Sequence, residues 1–332
     1  VTAFVAKRLI SMLGILVILT AVMFLLQKVS HTDPVHAYLG GNASQAAVAH
    51  ERRVLGYDRP VIDQFLTYVG HAVHGNLSDS LRTRRPVSTD IRAYLPATAE
   101  LALTGLILAI VLGAILGLAS VGGWRGSGTF RLVIMSGASV PSFLLALVAI
   151  LLLNGKLHWL PATGDSGYTN APTGPTGMVV VDTLLHGQLA MFGDAVHHLI
   201  LPALCVSLGP AVSIGRVLRT SLESAMGADF VRTARAKGLR ERTVLVRHAL
   251  RNSLSAPLSM TGLQVGLMFA GIVVIETIFA WPGIGLYVDQ SIPPADFPAI
   301  AGVTLVLGVA YVVINAVVDI LQAVIDPRVT LE

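Results

Sequence analysis

Six long runs without a single charged side chain constrain this chain more than any other feature. Lys7 and Arg8 are followed by 19 uncharged residues, Leu9 to Gln27. Further uncharged runs cover Leu101 to Trp124, Leu132 to Gly155, Leu199 to Gly215, Asn252 to Ile275 and Phe297 to Val318. A helix rises about 1.5 Å per residue, so about 20 residues cross a hydrocarbon core about 30 Å thick. Only 13% of the chain is charged, against about 25% in an ordinary soluble domain, too little to clothe a soluble surface. A soluble enzyme and a disordered chain are both excluded. The expected fold is an all-α polytopic membrane protein with six transmembrane helices, the fourth run extending both ways around Arg216. The first run exceeds the roughly 7–15-residue core of a signal peptide and lacks a small-residue cleavage pattern, so it reads as an uncleaved span.

Basic residues orient the spans. With both termini inside, cytoplasmic segments hold Lys7, Arg8, Arg125, Arg131, nine residues between Arg216 and Arg251, and Arg328, which is 14 of the 23. Seven of the other nine lie between Arg52 and Arg92, in a long external segment, and long loops cross a membrane largely regardless of charge. The expected organisation is a cytoplasmic end and first span at 1–30 and an external segment with short helices at 31–95. A core of five spans follows at 96–325, with an internal loop at about 221–253, and a cytoplasmic tail at 326–332. The stretch Val179 to His198 is weakly amphipathic and reads as lying along the outer surface. Ile278 to Pro298, rich in Gly and Pro, is placed at the outer mouth, because irregular backbone is tolerated at membrane depth only under cover.

The internal loop between spans four and five carries the most information. Asp229 is a good N-cap and Gly238 a good helix stop, with about two turns between them. From Asp229 to Arg251 seven residues are basic and two acidic. Two turns make no stable independent helix. Such a segment lies on anionic lipid, docks into a partner, or is a plain positive-inside loop. Nucleic acid is a poor partner for a short loop pinned at the bilayer.

Among the carboxylates near span edges, Glu100, Glu276 and Asp319 read as helix-end groups, with Glu276 the best candidate for contact with the external loops or a pathway mouth. Gly113-x-x-x-Gly117 and Gly262-x-x-x-Gly266 permit close helix approach and read as internal packing sites. Pro141 and Pro257 are kink positions. Cys205 reads as a small packing residue. No His or Cys pattern has metal-ligand spacing, and no catalytic Ser/His/Asp set can be placed.

The segment Phe230-Val231-Arg232-Thr233-Ala234-Arg235-Ala236-Lys237-Gly238-Leu239, with His248, Arg251-Asn252 and Pro257, resembles the internal loop of ABC importer permeases of the dipeptide and oligopeptide family. Where the broader importer motif has Glu-Ala-Ala, this chain has Arg232-Thr233-Ala234, a departure that the peptide-type permeases share. Leu55-Gly56-Tyr57-Asp58-Arg59-Pro60, Gly75-Asn76-Leu77, Ser80-Leu81-Arg82, Arg85-Pro86-Val87 and Leu95-Pro96-Ala97-Thr98 resemble the same family. So do Glu276-Thr277-Ile278-Phe279, Trp281-Pro282-Gly283-Ile284-Gly285 and Asp326-Pro327-Arg328.

The resemblance implies a type I importer transmembrane fold in the plasma (inner) membrane. It also implies a homologous sister permease, two cytoplasmic ABC ATPases, an extracytoplasmic solute-binding protein, and lipid around the chain. No G-x-x-x-x-G-K-[ST] loop is present, so ATP and Mg belong to the ATPase partners and this subunit is not an enzyme. Asp229, Phe230, Val231, Arg232, Ala234, Arg235, Lys237 and Gly238 become the set that docks the ATPase. In that set Phe230 fills a groove, while Ala234 and Gly238 keep the helix face small and end it. His248, Arg251 and Asn252 anchor the loop, and Glu276, Trp281, Pro282 and Gly283 lie at the external mouth or pathway. The cargo is a peptide or similar small solute, with haem, nickel or a sugar as alternatives. A secondary transporter or channel remains the alternative class; interrupted short spans in two matching halves would mark it.

Overall fold

The computed structural model describes residues 2–29, 44–54, 56, 58–121, 124–137, 140–168 and 174–325. Leu55, Tyr57, Asp326-Pro327-Arg328, the end at Leu331-Glu332 and the side chain of Asp319 lie outside the described residues. In chain order the helices are α1 (Thr2–Val29), α2 (Gln45–Val54), α3 (Val61–Val73), α4 (Val87–Ser120), α5 (Ser127–Gly137) and α6 (Ser142–Lys156). After them come α7 (Val179–Leu185), α8 (Leu189–Met226) and α9 (Asp229–Ala236). Next is α10, made of Glu241–Thr243, a π turn Val244–Ala249 and Leu250–Asn252. The last are α11 (Ser255–Ile278), α12 (Ile284–Ser291) and α13 (Phe297–Ile325).

Among the described residues, four helices are long and apolar enough to cross a membrane: α4, α8, α11 and the stretch Phe297–Val318 of α13. A fifth span is present if α5 and α6 count as one. The run Leu132 to Gly155 is broken near the expected kink position, and the two helices are bent by 113°. Pro141 explains the break. It stands as the N-cap of α6 with an extended backbone, has no N–H to continue a preceding helix, and pushes the residue before it out of helical geometry. The described side chains of α1 form a shorter apolar stretch, Leu13–Val29. Val179 to His198 is likewise not one surface segment. Gly187, at φ +68°, separates α7 from α8, and the residues from Leu189 on belong to the long helix.

The chain divides into two compact units, 1–95 with 286–310 and 96–285 with 311–332. In the first, Asp90 and Asp296 pin the irregular segment before α4. Asp90 accepts from the Thr83 hydroxyl at 2.5 Å, the Arg85 guanidinium at 2.7 Å and the Tyr287 hydroxyl at 3.1 Å. Asp296 accepts from the Ser80 hydroxyl at 2.5 Å and the Arg82 backbone N–H at 3.0 Å. The Arg82 guanidinium lies 5.2 Å from the Tyr287 ring centre, a cation–π contact. The basic residues of this segment are thus partly structural.

In the second unit, α4, α8 and α11 pack around Leu101, Leu201, Cys205, Met268, Ile272 and Ile275. Glycines set the approach. A Cβ at Gly117 would lie 2.8 Å from Leu218, and one at Gly266 would lie 2.5 Å from the Tyr311 ring. The two G-x-x-x-G patterns are therefore contacts within the chain, as expected.

Outside the spans, Asp182 organises the loop before α7. Its carboxylate accepts from the backbone N–H groups of Gly174, Thr176 and Gly177 at 3.1, 3.2 and 2.8 Å, and from the Thr176 hydroxyl at 2.7 Å. Burial works to raise its pKa, but these donors outweigh it and hold the carboxyl below the usual range. Its contribution to stability is complete above the unfolded-state value of about 3.9 and is lost as pH falls through the lower folded value. Amide exchange over 174–178 should accordingly stay slow from neutral pH to about pH 4 after correction for the intrinsic rate. Asp182→Asn should speed that exchange at every pH. Equal protection in the two proteins would contradict this account.

Candidate functional site

The loop after α8 folds into two short helices with opposite tasks on their two sides. Helix α9 is capped by Ala228, not by Asp229, which is its first residue. No side chain caps the helix, and Asp229 instead accepts from Arg232 at 3.2 Å. At the other end Lys237 is the C-cap and Gly238 stands at φ +75°. The Gly238 N–H donates to Arg235 at 2.9 Å and the Leu239 N–H to Ala234 at 3.3 Å, the double bond pattern of a Schellman stop. A Cβ at Gly238 would meet nothing within 4 Å. Glycine is needed there for its backbone conformation and not for space.

The predicted docking set divides by face. Val231 is 0% exposed and Ala234 6%, both packed with Val244 of α10 and Met226 at the end of α8. Phe230 is 40% exposed, a large aromatic ring presented outward. Arg232, Arg235 and Lys237 are exposed with it. Arg235 is tied to Glu241 by two bonds, 2.7 and 3.1 Å, which fasten α9 to α10. The inner residues of the motif hold the helix in place, and the outer residues form a surface.

The anchoring residues are arranged differently from the expectation. Asn252 donates to the His248 carbonyl at 2.9 Å, inside its own helix. Arg251 is exposed and makes no hydrogen bond among the described residues. The tie between this loop and α8 comes from Ser253, whose hydroxyl lies 3.2 Å from the Ser221 carbonyl and 2.8 Å from that of Ala249. Ser253 was not singled out from sequence. A lone serine beside Asn252 gives no signal until α8 is placed against it.

Glu276, Trp281 and Gly283 are buried, and Pro282 is partly so. Glu276 accepts from the Thr98 hydroxyl at 2.6 Å and the Gly285 N–H at 2.6 Å. Thr98 accepts in turn from the Ile284 N–H at 2.7 Å, and the Trp281 indole donates to the Ala97 carbonyl at 2.9 Å. A Cβ at Gly283 would lie 2.2 Å from Glu276. Glu276 is thus bonded to α4 and to the segment that follows α11. Its oxygens are committed to closing the corner after α11. Glu100 is also buried and accepts from the Val180 N–H at 2.9 Å.

A groove of about 280 Å³ runs between the break at Pro141, the middle of α8 and the middle of α11. Apolar walls dominate, and the polar groups are Ser142, Ser213 and Gln264. Gln264 is 8% exposed, and its amide meets only the Met260 sulfur, at 3.6 Å. Pro210 deprives the Val206 carbonyl of its i+4 donor at the same place. The groove offers neutral donors and acceptors and no charge.

Residues 93–331 match the family described as the inner membrane component of binding-protein-dependent transport systems, and residues 1–102 match the N-terminal region of such components. The chain belongs to this family. Among its relatives, it is 38% identical over 323 residues to the probable D,D-dipeptide transport system permease protein of Escherichia coli K12, covering 95% of each chain. It is 35% identical over 331 residues to the dipeptide transport system permease protein of Alkalihalophilus pseudofirmus, covering 98% of this chain and 99% of the relative. It is 37% identical over 333 residues to the di/tripeptide transport system permease protein of Pseudomonas aeruginosa, covering 98% of each.

Proposed function

We propose that this chain is the permease subunit of an ABC importer for di- or oligopeptides, working with a sister permease, two ATPases and an external binding protein. The observation that carries the coupling part is the division of α9, with Val231 and Ala234 locked inward and Phe230 held outward on a short basic helix. Phe230, Arg232 and Lys237 are the docking surface for the ATPase. The peptide assignment follows the names of the relatives and the neutral character of the groove.

The arrangement we propose has six spans and both termini inside, with α1 as the first span and the broken pair α5–α6 as the third. It is the type I importer fold, with residues 96–325 as permease core and α12 with its preceding turn at the outer end. The Glu276–Thr98–Trp281 corner braces that end. A broken helix is also a feature of secondary transporters; here family membership favours the ATP-driven class. Phe230→Ala tests the docking surface, because it leaves the buried face intact. Binding-protein-stimulated ATPase activity of the reconstituted complex should fall at least about tenfold, the loss of about 1.4 kcal/mol expected for an aromatic anchor. Unchanged stimulation would leave α9 without a coupling role.

The groove is the solute surface contributed by this subunit. Gln264→Leu removes a neutral hydrogen-bonding group worth about 1 kcal/mol and should slow peptide uptake roughly fivefold at unchanged ATPase docking. Uptake equal to the parent would place the pathway elsewhere.

A further inference from the structure

Helix α3 is built the wrong way round for a helix in water. Ile62, Leu66, Val69 and Val73 follow the i, i+4, i+7, i+11 spacing of one helix face. Ile62, Leu66 and Val73 are 63, 60 and 78% exposed, and no residue of α3 is buried. The opposite face, with Gln64, Thr67 and His71, lines a cavity of about 830 Å³. The polar side borders this cavity, and the apolar side is exposed away from it.

Two observations say what covers the outer face. First, α3 is fastened to the last turns of α1. Phe24 lies 5.5 Å from the Phe65 ring and 6.1 Å from the Tyr68 ring, and the Lys28 ammonium donates to Gln64. At that same end α1 also exposes the apolar side chains Leu25, Leu26 and Val29. Second, the chain just before α3 carries the exposed cations Arg52, Arg53 and Arg59, interspersed in the sequence with the acidic residues Glu51, Asp58 and, in the first turn of α3, Asp63. Basic residues beside an outward apolar helix face are the composition of an interfacial helix, which sinks its apolar side about 5–10 Å into the boundary between headgroups and acyl chains.

We infer that α3 lies in the plane of the bilayer surface, with Ile62, Leu66 and Val73 in lipid and the basic end of α2 among the phosphates. This rests on the reading of α1 as a membrane span. It gives the basic external stretch a task. Arg82 and Arg85 hold the fold together by their contacts with Tyr287 and Asp90, whereas Arg52, Arg53 and Arg59 face headgroups.

The test uses the assembled transporter in lipid nanodiscs, with Cys205→Ala removing the single cysteine, which is buried. Single cysteines at positions 62, 66 and 73 carry an environment-sensitive fluorophore, as do positions 18 and 67. Probes at 62, 66 and 73 should emit blue-shifted, be quenched by bromine-labelled lipid, and lose quenching by aqueous iodide. The probe at 67, on the cavity side, should lack lipid quenching. Iodide quenching at 62, 66 and 73 overturns the inference, since α3 then lies in water. Protection there from both quenchers also overturns it, since a protein then covers the face. Position 18, exposed on α1, separates the two readings. Lipid quenching at 18 without it at 62 refutes the α3 inference alone, whereas absence of lipid quenching at 18 refutes the span and the inference with it.

Discussion

Gly238→Pro should abolish ATP-driven uptake while leaving the chain inserted in the membrane. Proline fixes φ near −65°, and residue 238 stands at +75°. The substitution also removes the N–H that donates to Arg235 at 2.9 Å. The stop that turns the chain from α9 into α10 cannot then form, and the Arg235–Glu241 pair loses its geometry. Strain of this kind costs about 3 kcal/mol or more locally, enough to depopulate the docked helix by over a hundredfold. Gly238→Ala should be much milder, near 1 kcal/mol, because a left-handed alanine is strained but not forbidden. The graded series should be read by uptake and by stimulated ATPase activity in vesicles, with membrane insertion as the control. Near-normal coupling in the proline variant would remove α9 from the mechanism.

Glu276→Ala should cause a large loss of stability. It strips the acceptor from the Thr98 hydroxyl and the Gly285 N–H in a fully buried corner. Each unpaired buried donor costs about 1–3 kcal/mol, so the corner loses roughly 2–6 kcal/mol. Thermal unfolding in detergent should shift down by several degrees, and Thr98→Val, which removes one bonded partner, should shift it less. A Glu276→Ala protein as stable as the parent, with altered peptide selectivity, would mean that this carboxylate meets solute after all.

Uncharged runs can be seen in a sequence because hydrocarbon imposes one requirement on every residue of a span, and α4, α8, α11 and α13 obey it. The break between α5 and α6 was foreshadowed only by Pro141. A proline can be absorbed in a long helix, as Pro202 and Pro210 are in α8, or can stop one, and neighbouring packing decides which. The α9 segment is readable as a motif, but its two faces are not. Val231 and Phe230 are adjacent, both apolar, and differ in role only once Val244 covers one of them. Glu276 illustrates the opposite case. A carboxylate near a span end suggests a solute contact, yet its partners, Thr98 and Gly285, come from a distant helix and a turn. Ser253 and Gln264 gave no signal at all, since each depends on what stands opposite.

The central claim is that this chain moves solute only through ATPase partners docked on its internal loop. The direct measurement is peptide uptake into sealed vesicles containing this chain, its sister permease and the two ATPases, with binding protein outside and nucleotide inside. Uptake should require hydrolysable ATP and binding protein together, and should stop with a non-hydrolysable analogue. Uptake driven by an ion gradient in the absence of ATP would contradict the claim.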